Sequence, residues 1–597
     1  MPTLTLPSTT FEPFDMSDNS DPESHTKRNE AGEHLEVIRT ISRVPDNPNY
    51  YEKNGLRTEG DGMDHEQYNP KSIGFIMTVL GCSFGLCASQ ITPLLYLTLG
   101  TTIAADLERP DLLLWLLTAG IVAQGALAPF VGPLADLFGR RLIFLVGFIM
   151  AIVGCVMCGA GLDASAFLAG QILLGFGAVT QELMAIAVVA EIVPTAKRPI
   201  YAAITLCCII PWTPGTMYAN WISISSWRWV GLVLALWNAI SFCMIAAFYH
   251  PPPRVNGRGL TTKQKWARID FIGGILLTTG LVFVLVALNW GGQAYSWTSV
   301  HVLAFLIVGF VILIVFGLWE RFGAPHPMFP RRIVHAPRPF FCMLFVIFAA
   351  GINYIPLVVF WPIQAISVYQ ADHYTLGIYT LPIGTCILAG AIVSALLLGL
   401  LKGRTTAVMT FFCVMQTVGS ACLTVADPHD HGTIIAPLVL ALIGVGGVLV
   451  PNQVIITVIT PDDLIASVTA LTVGLRAQAQ VVGLAIYYNR FLAEITKNTY
   501  TYIVPAFVQV QYGNPELIEH MVEALTSVPF REWATTVPPF PHADSAAILQ
   551  EAATQAFAHA FKLVYYITIA FGVPACIAAA LMGDVSKYLD KHVAVVL

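Results

Sequence analysis

The sequence predicts an all-α protein that threads a membrane about fourteen times. Three observations carry that expectation. Only 11% of the 597 residues are charged and 56% are hydrophobic; a water-facing surface takes roughly 25% charged residues, so lipid must cover most of this chain. The apolar residues fall into runs of about 20, the length of a helix that crosses the hydrocarbon core. The Lys and Arg residues between these runs gather at alternate breaks, as they do in loops that stay on the cytosolic side.

The elements follow in order. Residues 1–72 are polar and rich in Asp, Glu, Asn, Ser and Pro, without the basic start, apolar core and small-residue cleavage site of a signal peptide. They are expected to form a disordered cytosolic tail. Spans are expected near 74–100, 111–134, 142–162, 165–190, 199–220, 228–249, 269–289, 300–319, 340–366, 375–400, 405–425, 433–459, 467–488 and 560–583. With a cytosolic start, the inside breaks carry Arg140 and Arg141, then Lys197 and Arg198, then Arg254, Arg258, Lys263, Lys265 and Arg268. Arg321, Arg331, Arg332 and Arg338 follow, then Lys402 and Arg404, while only Arg109 and Arg228 stand out in the short outside breaks. A span miscounted in the middle would reverse this pattern downstream, and no reversal occurs. The break at 489–559 is long and holds helix-like pieces such as Pro515-Glu-Leu-Ile-Glu-His-Met-Val-Glu-Ala-Leu525. Short helices capping the outer face are expected there, a flexible loop being the alternative. The last span returns residues 585–597 to the cytosol.

Composition also excludes function classes. A net charge of -6 gives no basic surface for a nucleic-acid partner. Phosphate-binding and zinc patterns are lacking, so neither a cofactor nor a metal is expected. The cysteines lie inside apolar runs, which argues against a disulfide framework. Cys155 and Cys158 have no flanking His or charge and read as packing. Asp427, His429, Asp430 and His431 share a short outside break and read as a solvated turn, with metal binding the alternative. A membrane enzyme needs His, Asp or Ser groups clustered at one interface, and the sequence offers none.

The motif with the most detail follows the second span: Gly132-Pro133-Leu134-Ala135-Asp136-Leu137-Phe138-Gly139-Arg140-Arg141. It resembles the signature loop between helices two and three of the major facilitator superfamily. Gly132 permits close helix approach, Gly139 a tight turn, and Asp136 can pair with an Arg near a helix N-terminus. Such a charge network can hold one half of a transporter against the other and release it. Gly399-Leu-Leu-Lys402-Gly403-Arg404 is a weaker echo in the second half. Further stretches are Glu191-Ile-Val-Pro194-Thr-Ala-Lys197-Arg198-Pro, Trp227-Arg228-Trp229, Ile459-Thr-Pro461-Asp462-Asp463-Leu-Ile-Ala, Ala485-Ile-Tyr487-Tyr488-Asn489 and the terminal Gly583-Asp584-Val-Ser-Lys587-Tyr588. Together they resemble the fungal trichothecene efflux pump family over residues 73–597. The resemblance implies a major facilitator fold of six, two and six helices. It places one bundle at 73–250, a linker with two extra helices at 251–338 and a second bundle at 339–584. It implies a secondary exporter of toxins, drugs or secondary metabolites, coupled to protons, cycling by alternating access, and monomeric in the plasma membrane, with the vacuolar membrane as the alternative. An importer of iron–siderophore complexes and a transporter-like sensor are the competing readings.

Ionisable groups at membrane depth are costly and are functional candidates by default. The superfamily usually carries an Arg in the fourth span before its Gly-x-Gly, where this chain has Gln171 before Gly175-Phe-Gly177. The fifth span, with Pro211-Trp-Thr-Pro214-Gly215, matches the antiporter pattern only in part. Attention falls instead on Glu182, eleven residues or about three turns beyond Gln171 and so on the same helix face. Glu182 is a candidate to bind a proton or couple to substrate, with a structural hydrogen bond as the alternative. Arg476 in the thirteenth span, with Gln480 one turn later, is the second candidate; a gate or helix–helix ion pair is its alternative. Gln90, Gln171, Trp212, Asn353, Tyr354, Trp361, Gln364, Asn452, Gln453 and Gln480 are candidates to line a cavity, because amides and aromatics suit a small amphipathic or apolar substrate.

Overall fold

The computed structural model describes residues 71–583 except 194–200, 202–203, 206, 252–263, 265, 267–268, 293–294, 326, 330–333, 335–336, 402–403, 460–464, 511–514, 527 and 538–543. The expected tails at 1–70 and 585–597 lie outside the described residues. So do Lys197, Arg198, Arg254, Arg258, Lys263, Lys265, Arg268, Arg331, Arg332 and Lys402.

The membrane helices are α1 (Ile73–Thr98), α2 (Leu113–Phe138), α3 (Arg140–Ala160), α4 (Ala164–Ile192), α5 (Gly215–Ser223), α6 (Arg228–Phe248), α7 (Phe271–Trp290), α8 (Val300–Leu318), α9 (Pro337–Ile355), α10 (His373–Leu400), α11 (Thr405–Cys422), α12 (Gly432–Val458), α13 (Ile465–Asn498) and α14 (Ser545–Leu581). All but α5 belong to the thirteen described helices long and apolar enough to cross a bilayer. Among the described residues the only β feature is an isolated bridge between Gly291 and Tyr295. Helices begin where the polar breaks supply a cap: the side chains of Ser72, Asp163, Asp270, Ser299 and Asp372 each accept a backbone N–H of the first turn.

Two spans depart from the expected continuous helix. The fifth, expected at 199–220, contains a 3-10 turn at Ile210–Trp212 and resumes only at Gly215. Pro211 and Pro214 withhold two backbone donors there, which breaks the α ladder. The ninth passes from α9 through a π turn at Pro356–Phe360 into a further turn, Trp361–Ser367; Pro356 again removes a donor. The last two helices overshoot the expected spans, because Asn489–Asn498 and Ser545–His559 continue α13 and α14 past the apolar run. Between them lie three short helices, Val504–Gln509, Pro515–Ala524 and Phe530–Thr536. Phe530 and Trp533 are buried, Trp533 Nε1 donates to His520 Nδ1 at 3.1 Å, and the Phe530 N–H donates to Gln370 Oε1 at 2.7 Å. The second bond ties these short helices to the turn before α10.

Helices α1–α4 and α6 pack on one another, as do α9–α14, while α5 lies chiefly against α10. Close approach rests on small residues: a Cβ at Gly175 would lie 2.0 Å from the Gly120 carbonyl oxygen, so α4 can meet α2 only with glycine there. Gly446 plays the same part on α12, where a Cβ would lie 1.8 Å from the Ile387 carbonyl oxygen of α10. The α7–α8 hairpin crosses at Gly280 and Gly309 and fastens to α2 through the Thr278 hydroxyl, which donates to Ala126 O at 3.2 Å. Helix α8 buries only Val302 and Gly309 and presents its remaining apolar surface outward. This is the six, two, six arrangement.

The helices define two ends. At the near end, where α1 starts, Arg141 Nη2 donates to Ala246 O at 2.7 Å and meets His250 Nε2 at 2.9 Å, and Arg338 Nε donates to Leu581 O at 2.7 Å. At the far end, Arg228 pairs with Asp106 at 2.5 Å and Arg109 with Asp111 at 2.8 Å. The two arginines that stood out in the outside breaks are thus each matched by an aspartate.

Candidate translocation site

Glu182 sits on α4, and its neighbour Gln181 fixes its direction. Gln181 Nε2 donates to Asn238 Oδ1 of α6 at 2.7 Å, which turns the next side chain toward α2 and α13. There Arg476 of α13 donates from Nη2 to Glu182 Oε1 at 2.8 Å and Oε2 at 3.2 Å. Gln124 of α2 donates from Nε2 to Glu182 Oε2 at 3.3 Å. The carboxylate side chain is 7% exposed and the arginine 20%. Charges this close and this dry attract strongly, and that attraction offsets the cost of removing both from water only while they stay together. On the other side of α13, Gly351 of α9 lies against the Arg476 carbonyl, and Tyr354 is within electrostatic reach of the guanidinium. Four helices, two from each half, therefore meet at one ion pair.

The stretch from Gly132 to Arg141 joins α2 to α3 through a one-residue turn. Helix α2 ends at Phe138 and α3 begins at Arg140, so Gly139 alone makes the turn, with φ +94° and open space where a Cβ would stand. Arg140 donates to Ala187 O of α4 and Arg141 to Ala246 O of α6. These bonds fasten α3 to α4 and α6. Gly132 lies within α2. The side chains of Asp136 and Gln453 lie outside the described residues.

The expected cavity residues separate into groups. Four are spent on bonds between helices. Gln171 donates to Cys158 Sγ of α3 at 3.7 Å. Asn353 Nδ2 donates to Thr568 O at 3.1 Å while its Oδ1 accepts from Tyr487 OH at 2.9 Å. Trp361 Nε1 donates to Tyr379 O at 2.9 Å, and Gln364 Oε1 accepts from Tyr565 OH at 2.7 Å. A buried amide or indole takes a partner in a dry interior, so each of these four bridges helices, and Gln364 also lines a small cavity with Val368, Tyr369 and Tyr565. Trp212 packs edge-on against Trp237 at 5.2 Å. Gln90 is half-buried and donates to its neighbour Ser89 at 3.4 Å. Gln480 is half-buried one turn beyond Arg476, and Asn452 is buried with no partner for its Oδ1 among the described residues.

Sequence reasoning missed three groups. Gln124, partner of Glu182, carries no signal beyond being an amide in a span. Gln478 is buried where α13 crosses α2. At the far end α5 is tied to α10: Thr216 Oγ1 donates to Thr380 O at 2.9 Å, Asn220 Nδ2 to Thr380 Oγ1 at 3.3 Å and Trp221 Nε1 to Tyr374 O at 3.2 Å. The Trp221 and Tyr374 rings stack with centroids 5.3 Å apart.

The family described as fungal trichothecene efflux pump (TRI12) matches residues 71–597. The chain belongs to this family. It is a membrane efflux transporter of the major facilitator class. Similar proteins include the MFS-type transporter gkaD of Penicillium citrinum, 24% identical over 92% of this chain and 89% of that one. The trichothecene efflux pump TRI12 of Fusarium sporotrichioides is 23% identical over 78% of each. The MFS-type transporter TwmF of Talaromyces wortmannii is 28% identical over 54% of this efflux transporter and 58% of that protein. Among solved structures, a bacterial homolog of the human lysosomal transporter Spinster, inward-facing and unoccupied, aligns with 86% of the transporter and 98% of its own chain at a TM-score of 0.50 and 14% identity. A mutant of the peptide transporter POT in complex with sulfate aligns with 87% and 99% at a TM-score of 0.52 and 13% identity. These two likenesses concern the fold alone.

Proposed function

We propose that this transporter exports small amphipathic or apolar toxins, drugs or secondary metabolites by alternating access, driven by protons that bind Glu182. The observation that carries the reading is the Glu182–Arg476 ion pair, buried at membrane depth and joining one half to the other. In the cycle, a proton taken up by Glu182 neutralises the pair and lets α13 leave α4. Loss of the proton restores the attraction and draws the halves together. The α5–α10 contact is the corresponding closure at the far end. The near end faces the cytosol in this reading, because it gathers Arg140, Arg141 and Arg338 while the far-end arginines are matched by aspartates. The protein works as a monomer in the plasma membrane. Export as the direction is supported by relatives named as efflux pumps.

The test is flux in vesicles bearing the purified transporter, under an imposed pH gradient, against a panel of apolar toxins and metabolites. Outward-directed flux should collapse with an uncoupler. Glu182→Gln should reach the membrane and lose the pH dependence. Flux that persists without a gradient, or an unchanged pH profile in that variant, overturns the coupling proposal. Uptake of labelled iron–siderophore in the same vesicles would replace export by import.

A further inference from the structure

The seam between α2 and α13 is built of small residues, and it contains one residue that does not fit. Gly125 and Ala128 of α2 face Gly474 and Gln478 of α13: a Cβ on Gly474 would stand 3.4 Å from the Ala128 Cβ and 3.5 Å from the Gly125 carbonyl oxygen. Below them Ala470 and Val473 join the same apolar cluster as Ala128, Val131 and Ala135. Into this small-residue seam the chain inserts Gln478, which is only 7% exposed. Its Nε2 occupies the room that the absent Gly125 side chain leaves, 2.0 Å from where that Cβ would be. Among the described residues neither Gln478 Nε2 nor Gln478 Oε1 has a hydrogen-bond partner. The neighbouring amide Gln124 is by contrast engaged with Glu182.

A buried amide with donor and acceptor both unpaired is costly, and a Met or Leu would fill the same place without that cost. A contact that had only to hold the halves together gains nothing from it. A contact that has to part does gain, because the penalty disappears once water or a passing solute reaches the amide. In the alternating-access reading the α2–α13 seam has to part, and we propose that Gln478 sets how readily it does so, by holding the closed seam at a raised free energy. The inference rests on the alternating-access reading, but concerns a different residue from the coupling pair. Arg476 and Gln478 lie two residues apart, so they project to well-separated sides of α13, one toward Glu182 and the other toward Gly125.

The experiment places a reporter inside the seam. Val473 is 1% exposed, and Val473→Cys puts a thiol there that a membrane-permeant maleimide reaches only when the seam opens. Site-resolved mass spectrometry separates its labelling from that of the native cysteines. In that background Gln478→Met, which removes the unpaired amide at similar volume, is expected to slow labelling by at least about tenfold. It should lower kcat for export, with KM little changed. Gln478→Asn, which keeps an amide, should restore much of the rate. Labelling and kcat at the parent level in Gln478→Met overturn the proposal, and a rise in KM with kcat intact does so too, since that assigns Gln478 to substrate binding instead. Should Gln478→Met fail to reach the membrane, Gly125→Ala probes the same seam from the other side. Its methyl group displaces the amide and should speed labelling; an unchanged or slower rate overturns the proposal. Seam labelling indifferent to substrate and pH gradient in the parent would instead count against alternating access, so the two readings fail separately.

Discussion

Replacing Arg476 by Met tests whether the inter-half ion pair is what the geometry makes it. The substitution leaves the Glu182 carboxylate 7% exposed in the parent structure, with the Gln124 amide at 3.3 Å as the remaining side-chain donor. Breaking a buried pair by removing one partner costs about 3–5 kcal/mol. Arg476 keeps 20% of its side chain exposed, which places the expected loss at the lower end, about 3 kcal/mol. Glu182→Leu strands the guanidinium instead, which reaches water more easily, and is expected to cost about 2 kcal/mol. The double variant strands neither charge, and apolar replacements of a buried pair are commonly neutral. It should therefore recover at least about 2 kcal/mol of the summed losses. The assay is the unfolding free energy in mixed detergent micelles of the parent, both single variants and the double variant at neutral pH. Losses that add to within about 0.5 kcal/mol would show that the side chains do not interact, and would refute the reasoning.

Other perturbations reach different parts of the fold. Gly139→Ala forces a side-chain-bearing residue to φ +94° where nothing crowds its Cβ; the cost is backbone strain of about 1–3 kcal/mol, measurable as lower thermal stability, and a variant as stable as the parent would contradict it. Gly384→Ala sets a methyl group 2.0 Å from the Thr213 carbonyl oxygen, so α5 must leave α10 and accessibility of cysteines placed at the far end should rise. Burial pushes the Asp106 carboxyl up, but hydrogen bonds from Arg228 and Trp227 together with the Arg228 charge outweigh it and hold it below the usual Asp range. A lowered carboxyl contributes stability above its unfolded value, about 3.9, and loses it as pH falls through the folded value. Arg228→Gln should thus reduce thermal stability at neutral pH and converge with the parent in acid; equal melting curves at neutral pH would remove the pair from the account.

The legibility of the chain differed by level. A run of about 20 apolar residues has one stable solution in lipid, a helix with its backbone bonds satisfied internally, so of the fourteen spans expected thirteen are described helices long and apolar enough to cross a bilayer, with α13 and α14 running well past their expected bounds. The breaks in the fifth and ninth spans fall at Pro211, Pro214 and Pro356, where hydropathy alone shows an unbroken run. Glu182 and Arg476 were visible for a related reason: a charge at membrane depth is expensive wherever it sits, so its presence alone points to a role.

An amide is different. Gln171, Asn353, Gln364 and Gln478 are the same chemistry in the same kind of apolar run, yet three bridge helices and the fourth stands unpaired in the α2–α13 seam. Nothing local separates them, because an amide is satisfied or orphaned by whichever helix lies opposite. The pairing of Glu182 with Arg476 spans 294 residues and was likewise out of reach. The sequence by itself pointed to a chain of many membrane helices and to the groups too costly to be idle, since both follow from transferring a residue out of water. Which of those groups meet, and which are left without a partner, was decided only when α2, α4, α9 and α13 packed against one another, since hydrogen bonds and ion pairs depend on distances of a few ångströms that no run of residues encodes.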